Sequence, residues 1–146
     1  MLNALRPCFL LPLILLVVMP ISVAAQFAGG DGSSGNPYQI ATCSQLQSIS
    51  TSLSSSYLLT NNIDCTGSSA FNSGASFDPI GEFSGSPFSG TLDGQFFTIN
   101  GLTIHRTGES HLGLFAFTTG ATIQRVKLTN LSIQGIGHLG GLVGQA

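Results

Sequence analysis

The side chains of this 146-residue chain that could do chemistry are three histidines, six acids and two cysteines beyond the N-terminal segment. His111 and His138 open two similar phrases, His111-Leu112-Gly113-Leu114-Phe115 and His138-Leu139-Gly140-Gly141-Leu142-Val143, and so hold equivalent positions 27 residues apart. Stacked on adjacent layers beside a carboxylate, two imidazoles would offer zinc or copper a start of a ligand set. No closely spaced His, Cys, Asp or Glu pattern supports that set, and the plainer expectation is a pair of solvent-facing corner residues. His105 stands outside both phrases. Gly29-Gly30-Asp31-Gly32 resembles one copy of a calcium-binding glycine repeat. A single copy cannot surround calcium with its roughly six to eight oxygens, so it reads as a linker. Asp64, Asp78, Glu82 and Asp93 could supply the carboxylate pair of a glycoside hydrolase. Asp64 and Asp93, however, sit in turn-like phrases where an Asp side chain bonds the backbone. Arg125 and Lys127 flank Val126 on an outer face, a thin basis for holding an acidic polysaccharide. Serines are too plentiful for any Ser-His-Asp set to stand out. The expectation is therefore no catalytic, metal or cofactor site.

The remaining chemistry is that of an exported chain. Arg6, an apolar run from Phe9 to Met19, a break at Pro20 to Ser22 and small residues Val23-Ala24-Ala25 form the pattern of a secretory signal. Residues 1–25 are expected to be removed, leaving Gln26 first. The apolar run is short for the roughly 30 Å hydrocarbon core of a bilayer. Pro12 and Pro20 interrupt it, against an uncleaved anchor. No later segment is apolar enough for membrane insertion. Cys8 leaves with the signal, and Cys43 and Cys65 form the expected disulfide of an oxidising compartment. Asn130-Leu131-Ser132 is a glycosylation sequon, relevant in a eukaryotic setting, and Asn130 is placed on an exposed corner.

Charge is sparse. Only 7% of residues are charged, where soluble domains carry roughly a quarter. Arg106, Arg125 and Lys127 face six acids after the signal, a poor balance for neutralising phosphates, so nucleic acid is excluded as a partner. Hydroxyl and amide side chains must keep the surface wet, which suits stacked strands better than solvent-facing helices.

These residues have to be positioned by the following elements. Residues 26–37 are Gly- and Ser-rich without an apolar period and are expected to be a flexible leader. Residues 38–90 are expected to form an N-terminal capping unit. It contains a strand at Tyr38-Gln39-Ile40 and one short helix with Thr42 as N-cap and Gln45 completing a capping box. Leu46, Ile49 and Leu53 give that helix one apolar stripe. A strand is expected over residues 57–64 with Tyr57, Leu59 and Ile63 inward. In the loop-like stretch 66–89, Phe71, Phe77, Ile80, Phe83 and Phe88 are expected to plug one end of the core.

From Thr91 the chain repeats. Residues 97–104 (FTINGLTI) align with 126–133 (VKLTNLSI) at a constant offset of 29, and apolar falls on apolar four times. Ile99 to Leu102 is a step of three, so a bend interrupts the strand period near Asn100-Gly101, and again at Thr129-Asn130. Short strands separated by corners, repeated at this spacing, predict an all-β fold, a parallel β-helix (solenoid). A β-sandwich is the competing architecture, but it does not demand in-register repetition.

The closing phrase Gly140-Gly141-Leu142-Val143-Gly144 resembles the GLUG motif of extracellular proteins. The stretches Asn36-Pro37-Tyr38-Gln39-Ile40, Leu58 to Asp64, Phe77-Asp78-Pro79-Ile80-Gly81 and Pro87 to Gly94 are similar to the segment that leads into such repeats. The likeness covers residues 36–146. It implies a right-handed parallel β-helix and an extracellular, adhesin-like setting, and it supplies no catalytic residues. Phe115-Ala116-Phe117 departs from the motif where a glycine is expected. The chain ends at Gln145-Ala146 without a cap for the last coil, so the repeats over 91–146 are expected to belong to a longer product.

The resulting expectation is a secreted or cell-surface binding or structural segment whose Thr, Ser, Asn and Gln ladders meet glycans or other proteins. Thr103 beside Ser132 would be one such ladder step. The alternative is an accessory β-helix of a secreted peptidase or polysaccharide-active enzyme.

Overall fold

The computed structural model describes residues 26–146, so the expected signal peptide lies outside the described residues. Eleven short strands form four sheets in which every strand pairing is parallel. They are β1 (Tyr38–Ile40), β2 (Ser56–Leu59), β3 (Ile63–Asp64), β4 (Thr91–Asp93), β5 (Thr98–Asn100), β6 (Thr103–His105), β7 (Phe115–Phe117), β8 (Thr122–Gln124), β9 (Lys127–Thr129), β10 (Ser132–Gln134) and β11 (Val143–Gln145). The sheet orders are β1-β2-β4-β8, β3-β5-β9, β6-β10 and β7-β11. The fold is all-β.

Successive stretches of chain lie in register on one another. From β4 onward each strand pairs with the strand four places later: β4 with β8, β5 with β9, β6 with β10 and β7 with β11. Ile99 meets Leu128 and Ile104 meets Ile133, the pairings implied by the offset of 29. Parallel neighbours need a long connection between them. Here the connection is the other strands of the same layer.

The bends fall where the apolar spacing breaks. Gly101 has φ +73° and Asn130, one layer on, has φ +51°. Both types tolerate the left-handed region, glycine for lack of a Cβ and asparagine through local side-chain bonding. A Cβ on Gly101 would sit 2.6 Å from Thr66 Cγ2, so the lower layer admits only glycine there without a shift.

Each strand sends one or two apolar side chains inward. Ile40, Leu59, Ile63, Leu92, Ile99 and Ile104 are fully buried. An aromatic column runs through the layers, with ring centroids 4.5 Å apart for Phe27–Tyr38, 5.6 Å for Tyr38–Tyr57, 6.4 Å for Tyr57–Phe88 and 4.5 Å for Phe88–Phe115. The Tyr57 hydroxyl satisfies its buried polar end by donating to the Ser52 carbonyl at 2.7 Å, and burial pushes its pKa up to about 12.

Helix α1 (Cys43–Gln47) lies over the first layer and is shorter than its apolar stripe implied, because a 3-10 turn takes over at Ser48–Thr51. The Thr42 side chain accepts from the Gln45 amide at 3.2 Å, while Gln45 Oε1 accepts from the Ala41 amide at 2.8 Å. Leu46 and Ile49 are fully buried. The Cys43 and Cys65 sulfurs are bonded, with Cα atoms 5.2 Å apart, tying α1 to the corner after β3.

Three expectations need correction. Residues 26–37 fold back onto the core instead of trailing as a leader. Phe27 is buried and stacks on Tyr38, the Gln39 amide donates to the Gly29 carbonyl at 2.8 Å, and the Ser56 amide donates to the Gly32 carbonyl at 2.9 Å. One aromatic side chain anchors a stretch whose average composition reads as linker. The strand expected over 57–64 is two strands, because Thr60 and Asn61 turn the chain by bonding the Ile40 and Ala41 carbonyls. These side chains compete with the ladder for backbone groups. Finally, Phe77, Ile80 and Phe88 are buried within the layers, with Ile80 bridging to Phe115 and Phe88 to Thr118, so they do not form an end plug. Phe71 is only partly buried, and Phe83 is 56% exposed.

Candidate functional site

Register decides which polar side chains meet. His111 and His138 do stack, with ring centroids 4.8 Å apart and planes 19° from parallel. Phe83 extends the stack on the other face of His111 at 4.6 Å and 12°. The equivalence of the two closing phrases thus places both rings in one column. The arrangement suits stacking more than ligation. Nitrogens in two near-parallel rings point along parallel directions and do not converge on one ion. His111 Nδ1 is also engaged with Ser110 Oγ at 2.8 Å. Among the described residues, no three His, Cys, Asp or Glu side chains come together as a metal-binding group. His105 lies elsewhere, its Nε2 bonded to Ser132 Oγ at 2.8 Å across the β6–β10 pair.

The carboxylates considered for glycoside hydrolysis are dispersed and mostly committed. Asp64 Oδ1 accepts from the Thr66 amide at 3.0 Å, and this bond leads the effects that lower its pKa. Asp78 pairs with Arg106 at 3.0 Å. Asp93 accepts from the Gln95 amide at 3.0 Å and from Gln124 Nε2 at 3.2 Å, and forms a two-pronged ion pair with Arg125. The Arg125 hydrogen bond is the main cause that lowers Asp93 to about 2. A catalytic acid needs the opposite shift, toward neutrality at working pH. Asp31, in the glycine phrase that resembles a calcium repeat, caps a local turn by accepting from the Ser33 amide at 2.9 Å.

Asn130 is exposed on its corner, but its Nδ2 donates to Asn100 Oδ1 at 2.7 Å, and Ser132 of the same sequon is the hydroxyl bonded to His105. Asn100 also accepts from Thr129 Oγ1 at 3.1 Å. Arg125 and Lys127 face outward around half-buried Val126 as the sequence suggests. Arg125 also lies 5.4 Å from the ring centre of Phe96, a side chain that is 76% exposed.

What sequence reasoning did not isolate is a groove of about 240 Å³ on the outer face of the β1-β2-β4-β8 sheet. Two in-register rows build it. Ser56, Thr91 and Thr122 form one, and Leu58, Asp93 and Gln124 form the other. Pro37 and Ser34 also line it. The row members come from three different layers, and from offsets of 31 and 35 residues rather than 29, so the repeat as read in sequence does not align them. Among the described residues, no helix is long and apolar enough to cross a membrane.

No family model matches the chain, and no solved structure matches it. Two curated relatives do match. Halomucin of Haloquadratum walsbyi is 35% identical over 121 residues, an alignment covering 79% of this chain and 1% of that protein. A protein of Evansella cellulosilytica, named as a Gly-rich membrane protein, is 33% identical over 111 residues, covering 75% of this chain and 12% of that one. The chain spans only a small part of the length of either relative, and the similarity is to those parts alone.

Proposed function

We propose that this chain is a non-catalytic segment of a secreted or cell-surface protein, adhesin-like, that presents the outside of a right-handed parallel β-helix to glycans or proteins. The observation that carries the reading is the in-register stacking of polar side chains on outer faces. Thr103 lies beside Ser132, Thr91 beside Thr122, and Asn100 beside Thr129. Ladders of this kind form many weak polar bonds at little conformational cost, since the strands hold the hydroxyls in place beforehand.

Several features support the architecture. Four strands of one stretch pair with the four of the next, Gly140-Gly141-Leu142-Val143-Gly144 resembles the GLUG closing phrase, and parallel crossovers are right-handed in nearly all folds. The setting is supported by the signal pattern over residues 1–25, by the Cys43–Cys65 bridge, and by similarity to parts of halomucin and of a protein named as a Gly-rich membrane protein. Residues 91–146 then act as repeat units continuous with residues 38–90, whose strands β1 and β2 extend the same sheet as β4 and β8.

The test is a binding screen of the secreted chain against arrayed cell-surface glycans and extracellular matrix proteins. Saturable binding to members of either class is expected. Uniformly null results would count against the reading. N-terminal sequencing of the exported material is expected to begin at Gln26.

A further inference from the structure

We infer that the groove across β2, β4 and β8 is a subsite for an uncharged, extended glycan chain lying across the strands. The inference rests on the surface-protein reading above and deepens it by naming the site and the ligand chemistry.

The lining argues for the ligand's charge. Among the described residues, Asp93 is the one ionisable carboxylate lining the groove, and its two oxygens are occupied by Arg125, Gln124 and the Gln95 amide. Neither a cation nor an anion therefore finds an unpaired opposite charge there. Exposed hydroxyls of Thr91 and Thr122 and the side-chain carbonyl of exposed Gln124, whose amide nitrogen donates to Asp93, remain to face a ligand. Groups that donate and accept suit a partner made of hydroxyls.

The spacing argues for the ligand's shape. Thr91 and Thr122 repeat in register from one strand to the next, so the hydroxyls recur every roughly 4.8 Å, and the groove extends about 10 Å from β2 to β8. An extended β-1,4-linked pyranose chain advances by a comparable step per sugar, so successive sugars meet successive strands. Half-buried Pro37 and Leu58 supply apolar surface for the C–H face of a ring. A polypeptide in the groove would instead need unpaired backbone groups along its course. β2 and β4 are already paired on both sides.

Titration calorimetry of the exported chain with cellohexaose, chitohexaose and polygalacturonate tests this. At least one neutral hexasaccharide is expected to bind more tightly than polygalacturonate. Thr91→Tyr and Thr122→Tyr fill the groove from exposed positions and should each weaken that binding by about tenfold or more. Gln134→Tyr, on the β6–β10 sheet, should leave it unchanged. Asp93→Asn unpairs Arg125 and should raise polygalacturonate affinity severalfold, a shift that a loss of folding would not produce. Thermal unfolding of each variant confirms that it folds.

Binding that survives both groove variants overturns the groove assignment while leaving the surface reading intact. Equal loss in Gln134→Tyr, or a preference of the native chain for polygalacturonate, overturns it as well. If neither neutral hexasaccharide binds, the groove assignment fails, and the glycan and matrix screen then judges the surface reading separately.

Discussion

Truncating Ile99 to alanine probes how this protein obtains its burial. Ile99 is fully buried on β5, with Ile63 of β3 in register on one side and Leu128 of β9 on the other. Removing a side chain held from both sides leaves a cavity that neighbouring layers cannot fill, because each neighbour is fixed by its own ladder. Buried Ile→Ala changes cost about 2–5 kcal/mol, and the two-sided packing puts this one at about 3–4 kcal/mol. Among the described residues, Leu128 has a register partner on one side only, and it is half-buried. Its truncation forfeits less transfer free energy and leaves a more open cavity, for a cost of about 1–2 kcal/mol. Equilibrium urea unfolding of the oxidised chain reads both. With a slope of about 1.5–2 kcal/mol per molar, the Ile99→Ala midpoint should fall by about 2 M and that of Leu128→Ala by about half as much or less. Equal losses, or a larger one at Leu128, would refute the argument that burial is supplied by layer-on-layer stacking.

Other perturbations separate the remaining contributions. Asp93, whose folded pKa of about 2 lies below its ordinary value of 3.8, stabilises the fold fully above about pH 4, and the contribution disappears as pH falls toward 2. The pair reaches solvent through Arg125, so its worth is about 1 kcal/mol, and Asp93→Asn should flatten that part of a thermal-unfolding profile between pH 5 and 2. Replacing both Cys43 and Cys65 by alanine should cost about 3 kcal/mol in denaturant unfolding, since the bridge closes a separation of 22 residues. Phe27→Ala should cost about 3 kcal/mol and open residues 26–37 to proteolysis, whereas unchanged protease resistance would mean that the Phe27–Tyr38 stack does not anchor them.

Legibility in the sequence followed the distance over which each signal acts. The offset of 29 exposed the pairing of β5 with β9 and β6 with β10, because equivalent positions in stacked strands must both be apolar. The bends at Gly101 and Asn130 showed as a step of three in a period of two. The Asp64 and Asp93 turns were legible too, since an Asp side chain reaches the amide two residues on. The packing of Phe27 was not, because a window average of Gly and Ser conceals one aromatic ring. The exposure of Phe83 was equally hidden: a phenylalanine in a loop reads as core until His111 offers it an outside stacking partner.

By itself, the sequence determined the all-β class, the repeat register, the helix cap, the cysteine pair and the polarity of the outer faces. Those properties depend on neighbours in the chain or on copies at a constant interval, where side-chain type alone sets the outcome. Tertiary structure decided which repeats share a surface. β2, β4 and β8 meet at offsets of 35 and 31 residues, because loops of unequal length connect their layers. The groove therefore draws Thr91, Asp93, Thr122 and Gln124 from positions that no single period aligns. The spacing of residues put His111 and His138 in one column, but only the packing of the layers set their rings near-parallel, an orientation for stacking and not for ligation.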